Sequence, residues 1–365
     1  MRIVATAVFL AAGSVVCAGD PSPVLVVRHR WEAVSVAFSP DGRILAAGSG
    51  HKGVLFWDAK TGKEIRFLEG PDVGDYIAFS PDQKTLASTR NWQPGEAGGV
   101  VHFWEVATGK RHKQFMGDKH LIRCLAFSAD GDRLASHSQW TVGTGQVGAV
   151  RLWDVATGKE LLKIPTNNAG HTIAFSPDDR LLAFDVEYSI RLCAADTGKE
   201  IRKLEGHQKV VSDRGITSGY VNALAFSPDG KLLASASCDN MARIWDVGTG
   251  KALHVLEGHR GFVNTVIFLR DGKTIATGGE DGTIRLWDVK SGGEVARIQA
   301  HEMGRERDDG DRRRDVFALA LSPDGRRMAS AGRDTMVKVW EVATLLKDRI
   351  ICRSSPPASN VGCLR

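Results

Sequence analysis

The chain has 365 residues, 42% of them hydrophobic and 25% charged, values that exclude a disordered chain, a collagen-like chain and a multi-span membrane protein. Its 48 Lys and Arg stand against 43 Asp and Glu, a formal net charge of +5, and acids follow bases almost everywhere, which argues against the concentrated basic patch of a nucleic-acid binder. Forty Gly, and nine Trp against three Tyr, imply many tight turns and a patterned use of Trp.

At the amino end, Arg2 precedes an apolar run from Ile3 to Leu10 that continues to Val16, and Val16-Cys17-Ala18 has the small-x-small form of a signal-peptidase site. The run is shorter than the ~20 apolar residues of a comfortable membrane helix. The expectation is a leader over residues 1–18, cleaved after Ala18, and an exported product, periplasmic or secreted, with no stable membrane insertion. Lipidation of Cys17 is the alternative fate. Cleavage leaves five Cys, an odd number that cannot all pair. Cys124, Cys193 and Cys238 fall in strand-like segments, where an isolated Cys is usually a small buried hydrophobe, so Cys352 and Cys363 form the only plausible bridge.

From residue 24 to about 343 one phrase recurs seven times: an apolar stretch ending in Phe, then Ser-Pro-Asp-Gly, Leu-Ala-Ser, Ile-Arg-Leu-Trp-Asp and Thr-Gly-Lys. The Phe slot holds Phe38, Phe79, Phe127, Phe175, Phe226, Phe268 and Leu321, and the Trp slot Trp57, Trp104, Trp153, Cys193, Trp245, Trp287 and Trp340. Each phrase predicts four short strands, a to d. Alternation in Val34 to Phe38 gives strand a, and Ser39-Pro40-Asp41-Gly42 is turn chemistry, Pro setting φ and Gly accepting a left-handed conformation. Ile44 to Gly48 is strand b, strand c carries the Trp, and Thr61-Gly62-Lys63 turns the chain into strand d. Extra residues fall between strands b and c in repeats 2 and 3, and between strands d and a before repeats 5 and 7. Glu302 to Asp315, the densest charge run, reads as a solvated loop.

These repeats resemble the WD-repeat β-propeller family, with Trp-Asp at Trp57-Asp58, Trp153-Asp154, Trp245-Asp246 and Trp287-Asp288, and Gly-His at Gly206-His207 and Gly258-His259. The resemblance implies an all-β, seven-bladed β-propeller of four-stranded antiparallel blades over residues 19–343; residues 344–365 are expected to be a disordered tail, 353–365 unless Cys352 and Cys363 pair. It also implies a buried hydrogen-bond chain in each complete blade: Trp245, Ser235, Asp239 and His207 in blade 5; Trp287, Thr277, Asp281 and His259 in blade 6; Trp340, Ser330, Asp334 and His301 in blade 7. Blade 1 has Ala47 and His51 in the Ser and Asp slots, and blade 4 has Cys193-Ala194 for Trp-Asp, so the amino-terminal half is expected to be softer. His29 lies nine residues before Phe38, as His259 does before Phe268. Val24 to Val27 should therefore supply strand d of blade 7, with Arg349 to Cys352 the competing segment.

Little in the chain reads as catalytic. The Ser-His-Asp sets repeat in three successive blades, whereas a catalytic constellation is singular. Gly143-Thr-Gly145-Gln-Val-Gly148 matches a dinucleotide fingerprint but lacks the helix that must follow, and a flexible loop is expected there. Asp308-Asp309-Gly310-Asp311 lacks calcium-loop spacing, and no His or Cys pair has zinc spacing. No cofactor, metal or catalytic residue is assigned.

Three Trp lie outside the repeat slots: Trp31 in the d-to-a loop of blade 1, and Trp92 and Trp140 in the b-to-c insertions of blades 2 and 3. Antiparallel strands put d-to-a and b-to-c loops on one rim. Two readings stand: each Trp is a lid over its own blade, or together they form a partner site, with Tyr188 and Tyr220 as lesser contributors. The expected function is a monomeric, non-enzymatic scaffold for a protein or peptide partner, not nucleic acid. The alternative is an exported hydrolase or lyase working at the channel mouth.

Overall fold

The computed structural model describes residues 21–49, 52–70, 76–89, 99–116, 121–142, 145–166, 170–211, 217–302 and 314–347. Blade 5 shows how the repeat folds. Strands a (Val221–Phe226), b (Leu232–Ser237), c (Ala242–Asp246) and d (Ala252–Leu256) pair antiparallel in that order. Strand b is buried on both faces because its Leu233 and Ser235 side meets the preceding blade and its Ala234 side the next. Strand d is the solvated edge, with Leu253 and Val255 exposed.

The a-to-b turn is closed by more than Pro and Gly. Ser227 donates its hydroxyl to Asp229 at 2.6 Å and accepts the amide of Leu232 at 2.9 Å, and the same pair recurs as Ser39–Asp41, Ser80–Asp82, Ser128–Asp130, Ser176–Asp178 and Ser322–Asp324. Where blade 6 has Leu269, Asp271 takes the amides of Lys273 and Thr274 directly. Blades are also tied laterally: Arg66 donates to the carbonyls of Val106 and Ala107 in the next blade, and Arg327 of blade 7 to Ala59 of blade 1 at 2.7 Å.

The seven four-stranded sheets form a seven-bladed β-propeller. Six are continuous in sequence, and blade 7 takes its outer strand, Leu25–Arg28, from the amino end, as expected from the position of His29. Val27 sits opposite Val337, and the amides of Val24 and His29 extend the ladder to Val339 and Thr335, each at 2.8 Å. One core unites the first and last blades, joining Val27, Phe38 and Trp57 to Ala329, Val337 and Val339. Gly62 turns blade 1 with φ +73° directly beneath Leu25, where a Cβ would come within 2.7 Å of the leucine side chain. A helix, Val342–Lys347, follows strand c of blade 7 and buries Val342 and Leu345, so residues 344–347, expected within the tail, are ordered structure. The competing segment at Arg349 lies outside the described residues, as do the leader and the Cys352–Cys363 pair.

Two expectations for the insertions change. In blade 3 the segment is a lengthened hairpin: strands Arg133–Val142 and Gly145–Asp154 stay in register to Val142↔Gly145, so Gly145 to Gly148 is strand and Trp140 pairs with Val147. In the long connection before blade 5, Val210–Val211 and Thr217–Ser218 make a small ribbon. The charged run before blade 7 ends in Asp315, which is buried and ion-paired with Arg333 at 2.7 Å; residues 303–313 lie outside the described residues. Cys124, Cys193 and Cys238 are buried free thiols.

Candidate functional site

Backbone bonds place the d-to-a and b-to-c segments on one rim. Cys238 N–H donates to Tyr220 O at 3.0 Å, Glu280 N–H to Phe262 O at 2.9 Å and Arg333 N–H to Asp315 O at 3.0 Å. Beneath this rim, blade 5 carries a continuous chain: the Trp245 indole donates to Ser235 Oγ at 2.8 Å, Ser235 lies 2.7 Å from His207 Nε2, and His207 Nδ1 lies 2.8 Å from Asp239. The bonds assign His207 as neutral with its proton on Nδ1. Asp239 also accepts the Gln208 and Met241 amides, and despite burial its carboxyl is held below the usual range by His207. Blade 6 repeats the chain with Trp287, Thr277, His259 and Asp281 at 2.9, 2.8 and 3.1 Å, and blade 7 with Trp340, Ser330, His301 and Asp334 at 3.0, 2.8 and 2.9 Å. In each set the His ring bridges the strand-b hydroxyl and the loop carboxylate, which is a structural use of residues that elsewhere make a triad.

A further member was not read from the sequence. In blades 3 to 7 the strand-c residue two before the Trp slot is a buried or half-buried cation: Arg243 and Arg285 reach Asp239 and Asp281 at 3.2 and 3.4 Å, Lys338 lies 4.0 Å from Asp334, and Arg151 and Arg191 reach the strand-d acids Glu160 and Glu200 at 2.8 and 3.3 Å. The signal was the Arg in the recurring Ile-Arg-Leu-Trp-Asp phrase.

Blades 1 to 4 depart from the chain. In blades 2 and 3 the Trp104 and Trp153 indoles still donate to Ser88 and Ser136 at 2.9 Å. In blade 1, Ala47 offers no hydroxyl, His29 Nε2 has no partner among the described residues, and burial lowers the His29 pKa to about 4. In blade 4, Phe184 fills the Ser slot, and the next residue, Asp185, accepts the amides of His171 and Thr172 at 2.7 and 2.9 Å.

Of the five aromatic partner candidates, Trp31 is half-buried and folds back on its own blade. It lies 5.9 Å from Phe67, with Lys52 Nζ 5.2 Å over its ring and the Arg30 guanidinium 4.1 Å over that of Phe67. Trp92 lies outside the described residues; Trp140 is placed on its strand, and its side chain lies outside the description. Tyr188, in the b-to-c turn of blade 4, and Tyr220, ahead of strand a of blade 5, are brought together: their rings stack at 6.4 Å, and His171 adds a third ring 4.6 Å from Tyr220. Tyr188 is seated against Gly219, where a Cβ would come within 2.7 Å of its ring. His171 escaped sequence reading because it sits four residues before Phe175, outside the usual His register. Among the described residues, no three His, Cys, Asp or Glu converge as a metal site, and no helix is long and apolar enough to cross a membrane.

Residues 22–58, 198–246, 250–288 and 309–341 match the sequence model of the WD domain, G-beta repeat. These segments hold the Trp slots of blades 1, 5, 6 and 7; of the blades outside them, 2 and 3 carry b-to-c insertions and 4 has Cys193 in the Trp slot. The chain is 25% identical to the WD repeat-containing protein SL1-17 of Schistosoma mansoni over 61% of its own length and 53% of that protein's. It is 27% identical to the transcription factor unc-37 of Caenorhabditis elegans over 60% and 32%, and 28% identical to the small ribosomal subunit protein RACK1 of the same organism over 47% and 49%. The chain thus aligns with about half or less of the length of these relatives.

Proposed function

We propose that this WD-repeat β-propeller is a non-enzymatic scaffold that holds a protein or peptide partner on its d-to-a and b-to-c loop face. The observation that carries the reading is the His171–Tyr220–Tyr188 stack, three half-buried rings gathered across two blades at that face. Aromatic side chains of this kind present large, rigid contact area and are enriched at binding hot spots. Trp31, with Arg30 and Lys52 over its aromatic neighbourhood, adds a second aromatic point on the same rim, and Trp92 and Trp140, which the sequence puts in b-to-c insertions, are proposed as further contributors.

The rigid chains of blades 5 to 7 support this division of labour, since they hold the rim without presenting reactive groups. The relatives bear the names of a transcription factor and a small ribosomal subunit protein, tasks unlike one another, which fits a scaffold whose loops, not its blades, set the task. The test is capture from the exported fraction with wild-type protein and with Tyr188→Ala, Tyr220→Ala and Trp31→Ala. A partner bound by the wild type and weakened at least tenfold by the Tyr variants, at unchanged fold, is expected; retention of full affinity by all three would overturn the reading.

Export is part of the proposal and rests on Arg2, the apolar run and Val16-Cys17-Ala18. Amino-terminal sequencing should find Gly19 as the first residue of the mature chain; an intact Met1 on cytosolic protein would overturn it.

A further inference from the structure

One position after the strand-b Ser slot, the seven blades carry Gly48, Thr89, His137, Asp185, Ala236, Gly278 and Ala331. Only blades 3 and 4, which are adjacent, place an ionisable group there, and both His137 and Asp185 are completely buried, at 0% exposure. His137 Nδ1 lies 3.7 Å from Asp185 Oδ1 and 3.5 Å from Thr172 O. On the other side, His171 Nδ1 lies 3.6 Å from Asp185 Oδ2. The d-to-a segment of blade 4 closes over this group: Gly170 packs so tightly on the His137 ring that no Cβ fits, and the amides of His171 and Thr172 are the ones Asp185 accepts.

We propose that His137 is an acid-operated release for the junction of blades 3 and 4: while its ring is neutral, Gly170 to Thr172 stays closed over it, and proton uptake drives that segment off. A neutral ring uses Nδ1–H toward Thr172 O and Asp185, and its Nε2 finds no partner among the described residues. A proton on Nε2 would stand unpaired against Gly170 and the edge of Phe184, whose ring centroid is 5.8 Å away, and an unpaired buried charge is unstable there. Burial outweighs the attraction of Asp185, so His137 is held below the ordinary imidazole range. Opening restores water to both imidazole nitrogens.

Among the described residues, the other ionisable groups packed around the junction do not supply the missing acceptor. The Cys124 thiol on strand a of blade 3 is pushed up by burial and by Asp185 and stays neutral. Arg123 beside it is a cation. Arg151 on strand c of blade 3 and Arg191 on strand c of blade 4 are held by Glu160 and Glu200. Tyr220 faces His171, not His137, and Glu187 in the turn beyond is exposed.

Amide hydrogen exchange of the full chain, corrected for intrinsic rates, reads the release directly. Between pH 7.5 and 5.5 the protection of the His171 and Thr172 amides should fall about tenfold, as the opened imidazole, with its ordinary value near 6.5, takes up a proton that the closed one refuses. The loss should be absent in His137→Ala, a residue native to this slot in blade 7. Should that variant unfold, the wild type decides alone: in ring NMR, His137 should protonate only as those two amides lose protection. Ordinary titration of His137 with the amides still protected would overturn the proposal. So would pH-dependent opening that survives in His137→Ala and disappears in His171→Ala.

Discussion

His207 Nε2 accepts from Ser235 Oγ at 2.7 Å, and that same oxygen receives the Trp245 indole N–H at 2.8 Å. One hydroxyl therefore satisfies two buried groups. Ser235→Ala leaves both without a partner, at about 1–3 kcal/mol for each unsatisfied group. Ser88→Ala, where among the described residues only the half-buried Trp104 indole depends on the hydroxyl, should cost about 1 kcal/mol. Chemical denaturation of the two variants checks the order, and equal losses would contradict it.

The buried histidines make the fold acid-sensitive with one sign. His29 is depressed to about 4 by burial, and His207 and His301 are depressed by burial in the same direction. Below the ordinary imidazole value near 6.5 the unfolded chain binds protons that the folded chain refuses, so stability falls as pH drops from about 6.5 towards 4. For His29 alone the full window is worth on the order of 3 kcal/mol. Below that range the depressed carboxyls of Asp239 and Asp334 add loss of the same sign. Denaturation midpoints measured from pH 8 to 4 should decline steadily, and His29→Leu should decline less steeply than wild type.

Closure by the amino-terminal strand gives another expected outcome. Removing residues up to Arg28 deletes the Leu25–Arg28 strand and strips the core face that Val27 shares with Phe38 and Val337. It also exposes the strand-c edge of blade 7, Met336–Glu341, which then invites intermolecular pairing. Cleavage after Ala18 leaves the strand intact. Size-exclusion chromatography should show the form beginning at Gly19 as a single species and the form beginning at His29 as aggregate.

The architecture was legible because the Phe slot, the Ser-Pro-Asp-Gly turn and the Trp slot recur in the same order seven times, and seven weak signals in one order reinforce one another. Ring closure followed from a single register, His29 to Phe38. What stayed hidden were departures from the repeat. His137 and Asp185 occupy a slot that carries no phrase residue, and their meeting depends on two blades facing each other. In the blade 3 insertion the glycine fingerprint and its missing helix drew the reading of a loop, whereas the alternation of Gln139, Trp140, Thr141 and Val142 already pointed to strand.

Tyr188 and Tyr220 stack on each other without entering a core cluster. Tyr220→Ala should lower stability by about 1 kcal/mol or less, the worth of an aromatic pair at a half-exposed site, while Trp31→Ala, which uncovers Phe67, should cost somewhat more. Thermal denaturation of both variants checks this. A loss several-fold larger for Tyr220 would make the stack a structural lid and not a contact surface.

The account stands on the loop face being the working face. A photo-crosslinking residue placed at Lys52 or Gln208, on the loop rim, or at Lys60 or Thr249, in the opposite c-to-d turns, reports which rim a partner touches. The account predicts discrete protein adducts from Lys52 and Gln208, abolished when Tyr188→Ala and Tyr220→Ala are combined, and none from Lys60 or Thr249. Adducts confined to the Lys60 and Thr249 positions, unaffected by the Tyr changes, would contradict it.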